Sequence, residues 1–211
     1  MKFFRCLGSG MDVAPLLAEI RAQEWAWLAN TSRQERIPVQ RDTNTIFLRN
    51  AVDRPDLDVN ENQESEATRS AASFPRALAV MTNIAEATKS SLSRATIVRL
   101  KPQSQVGRHV DGGSYYLIRN RFHLVLHSPS GSVLISGDEA VRMRAGELWW
   151  FDNKQHHSAF NESDEWRIHY IFDLLPNGHK SLAVNPLPPV AVPMPPAAFS
   201  TAPASGQLVS R

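Results

Sequence analysis

The run GRHVDGG at residues 107–113 sets an imidazole, His109, and a carboxylate, Asp111, two positions apart. In an extended strand, residues i and i+2 point to the same face. The two side chains therefore project together, while Val110 turns away. A second histidine from a distant strand would complete a face of two imidazoles and one carboxylate. Such a face leaves three metal positions open, as an oxygen-activating Fe(II) requires to take a bidentate oxo-acid and O₂. The run WWFDNKQHHSAFN, residues 149–161, offers His156 and His157. Adjacent residues of a strand face opposite ways, so only one of the two can serve. Ligating imidazoles must be neutral, and metal affinity is expected to fall as pH drops below about 6.5.

A guanidinium accompanies these groups. In WRIHYIFDLL, beginning at Trp166, Arg167, His169 and Ile171 share one strand face, and Trp166, Ile168, Tyr170 and Phe172 share the other. The second face is apolar and suits packing against helices; the first would point into a barrel. Burying Arg167 there is costly unless a carboxylate meets it. Its planar fork suits bidentate capture of the C5 carboxylate of 2-oxoglutarate. RFHLVLH, residues 121–127, repeats the pattern, with Arg121, His123, Val125 and His127 alternating with Phe122, Leu124 and Leu126. Two strands with polar residues on the presumed interior face argue for a lined pocket. His127 and His169 could orient ligands or be satisfied pocket residues, and Arg121 could bind the co-substrate, bind a substrate carboxylate or pair with an acid such as Asp138. Trp149, Trp150 and Phe151 read as core, Asp152 and Asn153 as turn residues. Tyr115 and Tyr116 read either as part of a lid or as packing. The remaining Lys and Arg residues read as solvated surface.

The elements that must position these groups fall in two halves. Residues 12–29 have helical apolar spacing, with Asp12 as N-cap and Pro15 in the first turn. Residues 37–49 read as extended, 51–72 as a long polar loop, and 75–89 as a second helix. From about residue 94 the period shortens into strand-like runs (ATIVRL, RFHLVLHS, SVLISG, AVRMRA, ELWWFD and WRIHYIFDLL) separated by turn residues. Residues 1–10 read as a peripheral extension. Residues 11–184 form a single domain, divided into a helical and extended lead-in over 11–93 and a β core over 94–176. The Pro- and Ala-rich residues 185–211 read as a disordered tail.

The segment from about 94 to 175 resembles the aspartyl/asparaginyl β-hydroxylases, a family of Fe(II)/2-oxoglutarate dioxygenases, and the related bacterial hydroxylases of free proline. The matching pieces are the H-x-D at His109 and Asp111, R-F-H at Arg121–His123, GELWWFDN at 146–153, His157, Asn161, and Arg167 ten residues beyond that histidine. The resemblance implies a mostly β fold with flanking helices and a double-stranded β-helix (jelly-roll, cupin-like) core. It implies His109, Asp111 and His157 as metal ligands, Arg167 as the 2-oxoglutarate anchor, and Arg121 and His123 as aids at that co-substrate. It also implies hydroxylation with release of succinate and CO₂. Some members lack the middle carboxylate; Asp111 sides with the free-amino-acid branch.

Composition limits the partners. The 211 residues carry a formal charge of +2, which makes no electrostatic case for nucleic acid. No apolar run is long enough for a membrane span. The single cysteine, Cys6, allows no internal disulfide and fits a cytoplasmic setting. A small-molecule or peptide substrate is expected. The competing expectations are a cupin-type metal enzyme that uses no oxo-acid and a non-catalytic small-molecule-binding module. An inward-facing Arg167 speaks against both.

Overall fold

In the computed structural model, which describes residues 1–52 and 56–179, the strand-rich second half is laid over a first half that supplies helices and further strands. The first half holds β1 (Phe4–Gly8), α1 (Ala14–Arg21), α2 (Ser32–Arg36), β2 (Thr43–Ala51), β3 (Ser65–Ala67) and α3 (Pro75–Ala87). There follow β4 (Ser90–Leu100), β5 (Ser104–His109), the one-turn α4 (Ser114–Leu117), β6 (Asn120–His127), β7 (Ser132–Ser136), β8 (Glu139–Val141), β9 (Leu148–Phe151), β10 (His157–Asn161) and β11 (Arg167–Pro176). Every strand pair is antiparallel. The large sheet runs β1-β9-β6-β11-β4-β2-β3 and the small one β5-β10-β7-β8, the double-stranded β-helix arrangement of jelly rolls.

The large sheet separates two cores. On its outer face, α3 repeats apolar residues at Ala77, Val80, Met81 and Ile84, one stripe of a 3.6-residue helix. Pro75 opens the helix, where its missing N–H costs nothing. The next amides, of Arg76 and Ala77, donate to the carboxylate of Glu19 from α1 at 2.9 and 3.2 Å, so a negative charge sits at the positive helix end. The stripe packs on Ile46, Ile97, Phe122, Leu124, Tyr170 and Phe172. The second core, between the sheets, contains Leu100, Val125, Leu134, Trp149, Phe151 and Ala159. The alternation within β6 and β9 thus feeds both cores.

Several expectations for the first half are corrected. Residues 1–10 are not peripheral: β1 pairs with β9, Phe4 opposite Phe151 and Arg5 opposite Trp150. Phe3 and Phe4 are buried, and the Lys2 and Phe3 amides donate to the Glu139 carboxylate at 2.7 and 2.8 Å. FRCLG shows neither alternation nor a continuous apolar run, so two aromatic side chains were the only clue. The first helix ends at Arg21, and a 3₁₀ turn over Glu24–Trp27 carries the buried Trp27. Asp12 sits one residue early, accepting the Ala14 amide at 3.0 Å. The extended run begins at Thr43, after a 3₁₀ turn over Pro38–Gln40. Within the polar stretch 51–72, β3 pairs with the end of β2, its side-chain pattern too short to register. The tail from residue 185 lies outside the described residues. Among those described, no helix is long and apolar enough to cross a membrane.

Candidate metal centre

Cross-strand pairing assembles the centre. β5 and β10 run antiparallel with His109 directly opposite His157, and the ring centroids are 4.2 Å apart. Asp111 lies two residues past the end of β5. Its Oδ1 is 3.9 Å from His109 Nε2 and its Oδ2 is 3.8 Å from His157 Nε2. One donor atom from each of the three residues lies within 4.8 Å of the others, the spread expected of ligands sharing one ion at bonds of about 2 Å. His156, the rejected neighbour, is exposed.

Backbone contacts prepare both imidazoles. His109 Nδ1 is 2.8 Å from the Gly107 carbonyl, and His157 Nδ1 is 2.9 Å from the Gln155 carbonyl. A carbonyl only accepts, so each Nδ1 carries the proton and each Nε2 presents its lone pair to the shared space. Burial depresses the His157 pKa to about 4, against a partial opposing pull from Asp111. His157 is therefore neutral far below the expected 6.5, which corrects the pH limit on metal binding for this ligand.

Asp111 is held from two sides. Its Oδ2 accepts from the Asn153 amide at 3.0 Å and from Arg121 Nη1, and its backbone N–H donates to the Asn153 carbonyl at 3.2 Å. Burial opposes its charge, yet Arg121, His157 and the Asn153 amide together hold its carboxyl below the usual range. The following loop turns at Gly113, whose φ of +106° and close approach to the Asn60 carbonyl leave no room for a Cβ.

Arg121, which the resemblance implies as an aid at the co-substrate, lines the cavity and lies on two carboxylates of the chain itself. Its guanidinium grips Asp173 through Nε and Nη2 at 2.8 and 2.9 Å while Nη1 reaches Asp111. Three of its five N–H donors face two carboxylates, one of them in the triad, so it braces a metal-ligand candidate. The pairing with Asp138 is replaced by Asp173, which stands opposite Arg121 in the β6–β11 register.

Arg167 shows the opposite condition. It is buried, and among the described residues its one polar contact is Nη2 to His169 Nδ1 at 3.3 Å. No carboxylate meets it among the described residues, and burial lowers its pKa to about 10. A guanidinium can only donate, so His169 Nδ1 must be the acceptor. His123 Nδ1 lies 3.1 Å from the same atom, whose one lone pair the two neighbours share. His169 consequently carries its proton on Nε2, a buried N–H without a partner. Burial, reinforced by Arg167, keeps His123 and His169 well below the usual histidine range.

The cavity between the sheets is lined by His109, His157, Arg121, His123, Arg167 and His169, with Val98, Leu100, Phe151 and Ile171 as apolar wall. All six predicted site residues thus converge, with Asp111 joined through the triad. Sequence reasoning missed Asn153, taken for a turn residue, and Asp173. The parity of Asp173 with Arg167, His169 and Ile171 was a usable signal. His127 contacts Glu165 at the surface, Tyr115 is fully buried, and Asn161 anchors backbone, donating to the Leu100, Lys101 and Glu165 carbonyls.

The donor set fits a borderline divalent cation: two neutral imidazoles with directed Nε2 atoms and one carboxylate kept ionised. Arg167 and the His169 N–H fit an anion beside it. Residues 56–176 match the sequence profile of the family described as aspartyl/asparaginyl beta-hydroxylase. No curated protein matches the chain. Among solved structures, an oxidoreductase of the 2OG-Fe(II) oxygenase family from Burkholderia pseudomallei is 15% identical; the match covers 82% of this chain and 93% of that one, at a TM-score of 0.48. A predicted oxalate decarboxylase from Thermotoga maritima is 19% identical, covering 44% of this chain and 73% of that one, with a TM-score of 0.33. A Photorhabdus luminescens protein is 12% identical over 38% of this chain, with a TM-score of 0.31, and the match spans only 60% of that protein's length.

Proposed function

The chain belongs to the aspartyl/asparaginyl β-hydroxylase family, and from that premise we propose that it is an Fe(II)- and 2-oxoglutarate-dependent hydroxylase of an amino acid, peptide side chain or similar small molecule. The observation that carries the reading is the pairing of a His109–Asp111–His157 cluster with a buried cation, Arg167, that lacks a carboxylate. A structural metal site would need no such cation, and a cupin-type enzyme without an oxo-acid would leave it uncompensated.

In this reading His109 and His157 bind through Nε2, and Asp111 supplies the third protein ligand. When bound, Fe(II) with 2-oxoglutarate and O₂ supplies the oxidising power, with succinate and CO₂ released and one oxygen atom delivered to the substrate. The chain's own part is placement. Arg167 takes the distal carboxylate of the oxo-acid, and the unspent His169 Nε2–H gives a second donor beside it. His123 lies against the same His169 Nδ1 and so acts through His169. Arg121 and Asn153 hold Asp111 ionised and oriented. Val98, Leu100, Phe151 and Ile171 keep the wall apolar, which strengthens every charged contact inside.

The deciding experiment measures succinate released from 2-oxoglutarate by anaerobically Fe(II)-loaded protein on exposure to air. Release is expected from the wild type and absent from His157→Ala and Asp111→Ala. Equal release from either variant, or none from metal-loaded wild type over a substrate screen starting with proline, aspartate and asparagine, would sink the proposal.

A further inference from the structure

One cation on the cavity wall has no task in the scheme above. Arg33 belongs to α2, in the lead-in that precedes the family-matched residues, and its side chain reaches the cavity containing His109 and His157. The turn that follows α2 packs against β5, and Gln40 from that turn lines the same cavity. This corrects the expectation that arginines outside the strands are solvated surface.

Among the described residues the Arg33 guanidinium makes no hydrogen bond or ion pair, although Asp111 and Asp173 lie close enough to be felt electrostatically. Both of those carboxylates are already gripped by Arg121. Burial and the charge of Arg121 both disfavour the Arg33 cation, which therefore sits in the cavity at a cost. The charges can be counted. Arg33, Arg121 and Arg167 give +3, and Asp111 and Asp173 give −2, leaving +1. Under the proposed function, which this inference rests on, a divalent metal and a dianionic oxo-acid cancel each other, and +1 remains. A monoanion on the substrate would close the balance; a dianionic phosphate would overshoot it.

We propose that Arg33 binds a carboxylate of the substrate, so that the hydroxylated molecule is a small carboxylic acid held by that group at the cavity mouth while its reacting carbon faces the metal. Arg33 is then the residue that sets substrate class, supplied by the lead-in and not by the β core. The guanidinium fork suits bidentate capture of such a group.

The test uses the full chain, anaerobically loaded with Fe(II) and 2-oxoglutarate, in titration calorimetry. The probes are L-proline, L-aspartate and L-asparagine, the fully amidated form of each, which keeps no carboxylate, and an N-acetylated, C-amidated aspartyl peptide, whose one carboxylate is on the side chain. At least one acid is expected to bind, and its carboxamide to fail. Binding of the free amino acids alone identifies the α-carboxylate, and binding of the capped peptide identifies a side-chain carboxylate. Arg33→Gln is expected to weaken the acid about 10- to 100-fold while leaving 2-oxoglutarate affinity as it was. Arg33→Lys should recover part of the loss, and the exposed Arg36→Gln should change neither affinity. The inference is overturned if no acid binds wild type, if a carboxamide binds as well as its acid, if Arg33→Gln binds the acid normally, or if Arg33→Gln weakens 2-oxoglutarate instead. Wild type that fails to take 2-oxoglutarate ends the hydroxylase reading, while Arg33-dependent binding of an acid to the metal-loaded protein would survive it.

Discussion

β6 and β11 present two faces made by alternate residues of the same two strands. Outward they offer Phe122, Leu124, Tyr170 and Phe172 to α1 and α3. Inward they offer Arg121, His123, Arg167, His169 and Asp173. The outer face is a close-packed, largely hydrocarbon core, in which the buried Tyr170 hydroxyl is the exception. The inner face carries five ionisable groups, four of them buried; Arg121 and Asp173 pair with one another, while among the described residues Arg167 and the His169 N–H stay uncompensated. A period of two lets one backbone hold both. Apolar packing is concentrated on one side and buried charge on the other, with the uncompensated cation on the side that faces the cavity.

The comparison can be broken by paired substitutions. On the outer face, Phe172→Ala should lower unfolding free energy by about 3–5 kcal/mol through the cavity it leaves, with the affinity of the folded fraction for 2-oxoglutarate unchanged. Arg167→Ala, one face across, should do the reverse: it should cost about 2–5 kcal/mol of oxo-acid affinity with no loss of stability, because the cation removed had no partner. Urea unfolding and calorimetry on both variants check the pair. A destabilised Arg167→Ala would mean the inner face supports the fold as much as the outer one.

Acid sharpens the same contrast. Free histidine titrates near 6.5, whereas His157 in the folded metal-free protein titrates at about 4, and His123 and His169 lie well below the usual range. Between those values the unfolded chain binds more protons than the folded one, so stability rises with pH. It should be fully present above about pH 6.5 and decline below it, with about 3 kcal/mol lost by pH 4 through His157 alone. Phe172→Ala should shift this curve down without changing its slope; His169→Phe should flatten it. The smallest effect expected is at Asn153: Asn153→Ala should weaken Fe(II) binding about 10- to 100-fold by loosening Asp111, read by metal titration, with little change in stability.

The β core was legible because its signals are local. His109 and Asp111 share strand parity, and the alternation in RFHLVLH and WRIHYIFDLL assigned inner and outer faces correctly. What residue types alone left open was which of two adjacent histidines faces inward. Strand parity is relative, and the register that sets His157 against His109 includes a bulge before Ala159 that no periodicity reveals. Asn153 was hidden for a similar reason: its amide serves Asp111 from 42 positions away, and a turn residue gives no sign of that. The role of Arg121 depended on a partner, Asp173, on another strand. Strand order and the inward reach of Arg33 are long-range properties, invisible to windows of a few residues. Strands of the second half such as β7 and β9 lie in alternating or continuous apolar runs, whereas β1 (FRCLG) and β3 (SEA) carry neither pattern.

The short first strand has a consequence for how molecules of this protein meet one another. By pairing with β9, it occupies the free ladder beside Trp149, Trp150 and Phe151, an aromatic stretch whose open amides and carbonyls would otherwise template strand addition from a neighbour. In its place the sheet ends on a five-residue margin bearing the exposed Arg5. Residues that look dispensable from their composition thus act as a stopper, keeping the most adhesive strand of the barrel out of reach of other chains.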